Sequence, residues 1–380
     1  MEVNRKIVLS DYNYQKDIQN RLIMAEFSVL DVEVLREIVD GSLQTTVRQI
    51  AKQLEKKESV IRDSLQTIGK TKLVEVNGDN ISVDKEMRRY YEFQLQRFQE
   101  NFKPDIEFLQ GVLSKVPIHT LPEWYALPRM TENIFTEIVQ RYLCTPRIYE
   151  RYLEALDFDI PLLHALKQEV FAAKNFQIPV KSLMEKYKIE REQFEELILY
   201  LEYHLVCYVG YRQVGESWEE VVSPSWEWCN YLSWRADNTP KAIENIQEVE
   251  PISLEKPEPI LGQYETHVKE FLEKLGSVPY KIKDVYDLER GLADIVGKGW
   301  VYLEDFIESS AIPLGLHAPV SLQNKGRSWR YEIPTYGEMD KEFIRTVLLE
   351  LFFKAGILLK AKHGEKWCIQ ISPLGKARFS

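Results

Sequence analysis

One order of helix and strand signals constrains the fold of this chain most strongly, and residues 28–83 show it most clearly. Ser28 with Asp31 three residues later forms an approximate capping box, which predicts the start of a helix. Apolar residues then recur at helical spacing in three successive short segments. Asn77-Gly78 follows between two β-type runs, and this dipeptide is the strongest short signal for a hairpin. The segment therefore predicts three short helices followed by a β-hairpin, and we call it the first copy.

The same order of signals returns twice. Residues 161–234, the second copy, hold three helical segments and then two strand-like runs around a polar tip. In the third copy, within residues 263–380, Met339–Lys354 is amphipathic and a hairpin pattern follows around His363–Lys366. Val301–Ser309 and Tyr264–Gly276 suit its second and first helices. Three helices and a hairpin make a winged helix-turn-helix, so we predict a mainly α protein with small β-hairpin wings and tandem winged helix-turn-helix domains.

A change of composition predicts where the chain divides. Arg235–Gly262 contains four prolines and five glutamates but no aromatic residue, so it cannot bury enough surface to offset its ordering entropy. We interpret it as an acidic linker, with a loop strapped across a domain as the alternative. The predicted parts are the first copy with a trailing helix (1–100), a helical connector with the second copy (101–235), the linker (236–262) and the C-terminal winged-helix-like domain (263–380).

The distribution of charge limits where nucleic acid could bind. The net charge is −10, which disfavours a protein that coats nucleic acid through bulk electrostatics. Residues 101–240 hold 14 basic and 21 acidic groups, whereas residues 1–100 hold 16 and 17. A nucleic-acid surface is therefore expected at one end of the chain. The acidic middle is expected to contact a protein partner or a second copy of the chain.

The first copy offers the better candidate surface for nucleic acid. A winged helix places its third helix in the major groove of DNA, and the wing reaches the neighbouring backbone. On this helix Arg62 and Gln66 would meet base edges, and the lysines beside it would hold phosphates. An ordinary solvated helix face is the alternative. The candidate residues here are Lys56, Lys57, Arg62, Gln66, Lys70 and Lys72.

The second and third copies differ from the first in charge. The third helix of the second copy, EREQFEELILYLEYH, is rich in glutamate and would repel phosphates, so we predict a docking or structural role. The third copy is basic around its wing and in the insertion before its third helix, where a tryptophan could stack on a base. A lysine-rich edge that protects a hairpin from aggregation is the alternative. The candidates are Arg327, Trp329, Arg330, Lys360, Lys362 and Lys366.

Motifs for other functions were not found in the sequence. Patterns for phosphate-binding loops, dinucleotide sites, zinc proteases, serine hydrolases and calcium loops are absent. The four cysteines lie far apart without a CxxC pair, which indicates a reducing, cytoplasmic location and makes a zinc site improbable. No apolar run is long enough to span a membrane, and no membrane contact is expected. We predict no catalytic residue, no metal and no cofactor.

The C-terminal part resembles a known family. Gly299–Ser310, Phe343–Ser380 and the sequence Ser372-Pro373-Leu374-Gly375 look like the winged-helix modules attached to bacterial helicases of the xeroderma-pigmentosum-B type. The ATP-hydrolysing part of these helicases has no counterpart in this sequence. The resemblance therefore implies a DNA-related accessory or regulatory protein without ATPase activity. We therefore expect a non-enzymatic protein that binds duplex DNA through its N-terminal or C-terminal unit. The alternative is a protein-assembly scaffold whose winged helices bind partners and not DNA.

Overall fold

The computed structural model describes residues 14–114, 134–244, 249–252, 264–276, 278–326 and 328–379. These residues are mainly helical and contain small antiparallel sheets, which confirms the predicted mainly α class with small β elements. Among them, no helix is both long and apolar enough to cross a membrane. The chain divides into two compact units, residues 1–142 with 149–229 and residues 143–148 with 230–380.

The helices and strands of the described residues are numbered in chain order. The α-helices are α1 Tyr14–Met24, α2 Val29–Asp40, α3 Val47–Gln53, α4 Glu58–Gly69, α5 Lys85–Gln94, α6 Ile106–Ser114, α7 Ile134–Ile138, α8 Pro146–Ala155, α9 Pro161–Ala172, α10 Val180–Tyr187, α11 Arg191–Tyr203, α12 Trp226–Asn238, α13 Tyr264–Lys274, α14 Ile282–Gly291, α15 Leu303–Ser309, α16 Glu338–Thr346 and α17 Pro373–Phe379. The strands are β1 Gln44–Thr46, β2 Val74–Asn77, β3 Asn80–Val83, β4 Ile178–Pro179, β5 Tyr208–Val214, β6 Ser217–Ser223, β7 Glu250–Ile252, β8 Val301–Tyr302, β9 Ser321–Asn324, β10 Trp329–Glu332, β11 Leu358–His363 and β12 Lys366–Ile371.

The first copy folds as α2, β1, α3, α4 and the hairpin β2–β3, with sheet order β1-β3-β2. The predicted capping box starts α2, since the Asp31 backbone N–H donates to Ser28 Oγ and the Ser28 N–H donates to the Asp31 carboxylate. Asp31 also accepts from Ser64 Oγ on α4 at 2.5 Å. Gly78 turns the hairpin with a φ of +66°, a conformation that favours glycine. Local signals thus specify the helices and the hairpin of this copy, whereas the unpredicted strand β1 depends on its pairing with β3.

The second copy repeats this arrangement. Its elements follow as α9, β4, α10, α11 and the hairpin β5–β6, and its sheet order is β4-β6-β5. A single apolar cluster extends from Met24 to Val222 and includes the cores of both copies. Phe98 stacks on Tyr211 of the second wing, with ring centroids 4.0 Å apart. The two copies are therefore joined by one core that runs across the boundary predicted at residue 100.

The third copy has the same core order with additions. Strand β8, helices α15 and α16 and the hairpin β11–β12 follow α14, and the hairpin β9–β10 is inserted before α16. A further helix, α14, lies between the predicted first helix and β8, and its Val285 and Leu288 belong to the core of this copy. Helix α13 adds Tyr264 and Val268 to that core. The end of α16 continues as a π-helix over Val347–Phe352.

Part of the predicted linker belongs to this second unit. Residues 236–238 end α12, Ala242 forms a bridge with Val301, and β7 pairs with β11 opposite Lys360–Lys362. The four-stranded sheet has the order β7-β11-β12-β8, so β7 supplies hydrogen bonds to an edge of β11 that the hairpin alone leaves open. The alternative of a strapped loop describes these residues better than a free linker. Residues 245–248 and 253–262 of the predicted linker lie outside the described residues.

Candidate nucleic-acid interface

The turn between α3 and α4 presents basic side chains to solvent. Lys56 and Lys57 are exposed, and Lys57 is the N-cap residue of α4. Gln66 is exposed one helical turn before the end of α4, while Ile61, Leu65 and Ile68 face the core as predicted. The outer face of α4 is therefore available to a ligand along its length.

Arg62 contacts the wing of its own copy. Its Nη1 donates to the backbone carbonyl of Gly78 at 2.6 Å, and its Nη2 lies 3.6 Å from Asp79 Oδ1. The backbone of Asp79 also accepts a hydrogen bond from the Val47 N–H at the start of α3, at 2.9 Å. Arg62 thus ties α4 to the tip of the wing, and its guanidinium is not free to contact a base edge in this conformation.

The remaining candidates of the first copy surround this face. Lys70 lies 3.7 Å from Glu26 and Lys72 is exposed in a left-handed conformation with a φ of +60°. Sequence reasoning missed Arg48 on α3, whose side chain is 79% exposed and 3.4 Å from Glu58. Its spacing of four residues from the exposed Lys52 would have revealed a second basic stripe on one helix face.

The third helix of the second copy is buried within its own unit. Eight residues of α11 are buried, including Glu195 and Glu202. Glu202 accepts from Arg21 Nη2 of α1 at 2.5 Å and from Arg97 Nη1 at 2.7 Å. Glu195 Oε2 lies 3.5 Å from Arg21 Nη1. Glu195 and Glu202 therefore belong to an internal ion-pair network with α1, whereas Glu190, Glu192 and Glu196 remain on the predicted acidic surface.

Burial and the neighbouring arginines shift the pKa values of the two buried glutamates in opposite directions. Burial by itself would raise the pKa of Glu202, but Arg21 and Arg97 outweigh it and lower the pKa to about 2. Burial raises the pKa of Glu195, although Arg21 and Arg191 oppose the shift. Because Glu202 is fully buried and ionised, it depends on both arginines for compensation. The exposed side of this helix carries Glu192 and Glu196, which would repel phosphates.

The third helix of the third copy is exposed but largely neutralised. Arg345 forms a bidentate pair with Glu304 of α15, with both N···O distances at 2.7 Å. Arg345 also lies 3.2 Å from Glu342, and Lys354 lies 3.0 Å from Glu350. Cations that are already paired contribute little to a phosphate site. Helix α16 therefore offers duplex DNA less than α4 does.

The three wing lysines of the third copy do not form one patch. Lys362 pairs across the hairpin with Trp367 and its Nζ lies 5.0 Å from that ring, and Lys360 lies on the same sheet face. Lys366 is on the opposite face, 5.2 Å from the ring of Tyr302. Side chains alternate between the faces of a strand, so the sequence cluster is split by the pleat.

The insertion candidates lie on a separate hairpin. Trp329 and Arg330 belong to β10, and Arg330 Nε is 3.5 Å from Glu332. Glu332 also lies 3.1 Å from Lys325 of the hairpin turn. Arg327, the remaining candidate, lies outside the described residues. The described cations of this hairpin are thus paired with one carboxylate.

Comparison with known proteins adds no assignment. No protein-family model matches the chain, and no curated protein is similar to it at a significant level. Within the described residues, no group of histidine, cysteine, aspartate and glutamate side chains is arranged to hold a metal ion. The first copy, with α4 and its wing, is the candidate interface on structural grounds.

Proposed function

We propose that this chain is a non-enzymatic, cytoplasmic DNA-binding protein built from tandem winged-helix units, and that its first copy contacts duplex DNA. The observation that carries the proposal is the outer face of α4, where Lys56, Lys57 and Gln66 are exposed next to a wing. In the same unit the equivalent helix α11 is buried against α1. A role in regulating transcription or assisting another DNA enzyme fits the absence of a catalytic motif in the sequence.

Each side chain of this face has a task in the proposed complex. Lys56 and Lys57 hold phosphates at the start of α4, and Gln66 contacts a base edge in the major groove. Arg62 positions the wing through the carbonyl of Gly78 and thereby sets where the wing meets the adjacent backbone. Lys72 extends the phosphate contacts beyond the helix, and Lys70 does so when it leaves Glu26.

Fluorescence anisotropy of the full chain with labelled random and selected duplexes tests the proposal. The full chain is needed because the first two copies share one core. Affinity should fall linearly with salt on a logarithmic scale, and Gln66→Ala should cost roughly 1–3 kcal/mol on the selected duplex and little on random DNA. No binding at low salt, where electrostatic attraction is strongest, would overturn the proposal.

A protein-assembly scaffold is the second candidate, and two apolar side chains in the second unit favour it. Leu316 is 97% exposed at a turn that is held by a hydrogen bond from the Gly315 N–H to Asp284. Met339, beside Asp340 on α16, is 61% exposed, and His317 contacts Asp340 at 3.2 Å. Because His317 and Asp340 are the chain neighbours of these two residues, their contact brings both exposed apolar side chains near each other, as in a protein interface. This function takes first place if the duplex experiment fails.

A further inference from the structure

The beginnings of helices α6 and α12 are joined by two reciprocal hydrogen bonds. The Trp226 N–H donates to the Pro104 carbonyl at 3.0 Å, and the Ile106 N–H donates to Glu227 Oε1 at 3.0 Å. Ile106 is the first residue of α6, so its N–H is one of those that a helix start leaves without an intrahelical partner. We call this pair of hydrogen bonds the α6–α12 clasp, and it is closed when both are formed.

The carboxyl group of Glu227 is buried and poorly compensated. The residue is 2% exposed, and its Oε2 is inaccessible to solvent and has no hydrogen-bond partner among the described residues. None of the described lysines and arginines forms an ion pair with it, and the charges that act on it, Asp105 and Glu107, are both negative. A buried carboxylate in such surroundings is less stable than the neutral acid.

Glu202 is equally buried and shows what ion-pair partners change. Arg21 and Arg97 overcome the effect of burial there and lower the pKa of Glu202 to about 2. Burial raises the pKa of Glu227 to about 7, although the N–H groups of Ile106 and of Glu227 itself oppose the rise. The negative charges of Asp105 and Glu107 add to it. Two buried glutamates of one unit thus have opposite ionisation behaviour.

The charged and titratable groups around Glu227 are those of Lys103, Asp105, Glu107, Tyr149 and Cys229. Burial raises the pKa of the Cys229 thiol to about 12 and holds the pKa of Tyr149 well above its ordinary value, so neither ionises near neutral pH. Lys103 is exposed and contacts the Trp226 ring, with its Nζ 3.9 Å from the ring centroid. These groups therefore leave the buried carboxyl of Glu227 without a compensating charge.

We propose that the α6–α12 clasp is a pH-sensitive switch, which is closed while Glu227 is protonated and is weakened when this proton passes to water. The neutral acid keeps the hydrogen bond from Ile106 without a buried charge. The carboxylate is repelled by Asp105 and Glu107, and opening of the clasp brings it into water. The chain leaves the first unit within α12, between residues 229 and 230, so the switch controls how firmly the last segment of that unit is held.

The two states of Glu227 give the direction and the size of the effect. In the open clasp the carboxyl lies in water with an ordinary pKa near 4.3, whereas in the closed clasp the pKa is about 7. A raised pKa stabilises the closed state below about pH 4.5, and this stabilisation is lost as the pH rises to about 7. The ratio of open to closed clasp should increase roughly 30-fold between pH 5.5 and 8, mostly below pH 7.

Hydrogen exchange of the full chain, followed by mass spectrometry, measures the opening. Protection factors, normalised to the intrinsic exchange rate at each pH, should fall roughly 30-fold between pH 5.5 and 8 at the starts of α6 and α12. Glu227→Gln keeps an acceptor for the Ile106 N–H but cannot ionise, so its protection there should not depend on pH. Asp237→Asn, an exposed change on the same helix, should behave as wild type. Wild-type protection without this fall, or a fall that Glu227→Gln retains, would overturn the proposal.

A second variant decides the question if Glu227→Gln does not fold by circular dichroism. Glu107→Lys, at an exposed position of α6, replaces a charge that opposes ionisation of Glu227 by one that favours it. The fall in protection between pH 5.5 and 8 should then be at least twofold smaller than in wild type, because the lower pKa of Glu227 in the closed clasp ends the loss at a lower pH. An unchanged fall would show that Glu227 does not control the clasp.

Discussion

The first and second copies have the same element order and the same sheet order, yet their third helices meet opposite environments. In α4 four of twelve residues are buried, whereas in α11 eight of thirteen are buried. The additional buried residues of α11 lie on the side that an isolated helix would expose to solvent. Leu199, Glu202 and Tyr203 are covered there by neighbouring elements of the unit. Two copies with the same element order therefore need not share a function.

The charged residues of the two helices also differ in their environment. Helix α4 and the turn before it place lysines in solvent, where they keep their hydration until a phosphate arrives. Helix α11 places carboxylates against Arg21, Arg97 and Arg191, which stabilise them inside the unit. The DNA contact proposed for the first copy requires the first arrangement, because exposed cations attract phosphates and exposed carboxylates repel them. Four predictions test this contrast, in order of decreasing effect.

Replacing the most buried carboxylate of α11 should have the largest effect. Glu202→Gln leaves Arg21 and Arg97 without their shared partner, and breaking a buried ion pair costs roughly 3–5 kcal/mol of unfolding free energy. Glu192→Gln, exposed on the same helix, should change it by less than about 0.5 kcal/mol. Urea denaturation of the full chain measures both, and equal losses would contradict the internal role of α11.

Acid should remove the contribution of ionised Glu202 to the free energy of unfolding. The folded pKa of Glu202 is about 2, below the ordinary value near 4.3, so its stabilising effect is complete above about pH 4.5 and is lost as the pH falls toward 2. The stability difference between wild type and Glu202→Gln should narrow by roughly 3 kcal/mol across this window. Urea denaturation at a series of pH values measures the narrowing, and a constant difference would show that Glu202 is not held ionised by the arginines.

Charge reversal before each third helix should separate the copies in DNA binding. Lys56→Glu with Lys57→Glu should weaken duplex binding about 10- to 100-fold at low salt and reduce the salt slope by about two units. The matched double variant Lys181→Glu with Lys188→Glu carries the same charge change before α11, on exposed residues. It should bind nearly as wild type does in the anisotropy assay. Equal weakening by both would mean that net charge and not the α4 face controls binding.

The smallest effect is expected at the first wing. Asp79→Asn removes the carboxylate beside Arg62 while the bond from Arg62 to the Gly78 carbonyl remains possible. One repulsive charge near the phosphates is lost and the guanidinium gains freedom, so duplex affinity should rise about 3- to 10-fold at low salt. Glu192→Gln makes the same charge change in the second copy and should have no effect. Unchanged affinity of Asp79→Asn would place the wing tip outside the interface.

Local signals are sufficient for the helices and the hairpin of the first copy. The Ser28–Asp31 capping box and the Asn77-Gly78 turn each depend on residues close in sequence, and both are present in the structure. Lys56, Lys57 and Gln66 were also placed correctly on the surface, because their solvent exposure follows from the helical period of the buried stripe. Short-range physics therefore gave most of the fold and half of the candidate face on α4.

Long-range pairing was beyond the sequence. Arg62 reaches a carbonyl 16 residues away, so its hydrogen bond depends on how the wing folds back on α4. Lys360, Lys362 and Lys366 are neighbours in sequence, but the pleat of β11–β12 separates Lys366 from the other two. The strand β7 lies in a segment whose composition resembles a linker, and only the open edge of β11 makes it a strand.

The sequence by itself determined the repeated order of helices and hairpins, because caps, turns and apolar periods act over a few residues. Only the tertiary structure decided which copy keeps its third helix in solvent. The partners of Glu202 lie 181 and 105 residues away in the chain, and nothing in the glutamate-rich segment indicates that arginines will cover it. Burial of a charge depends on the free energy of a whole assembled environment, and that environment exists only after the two copies have packed into one core.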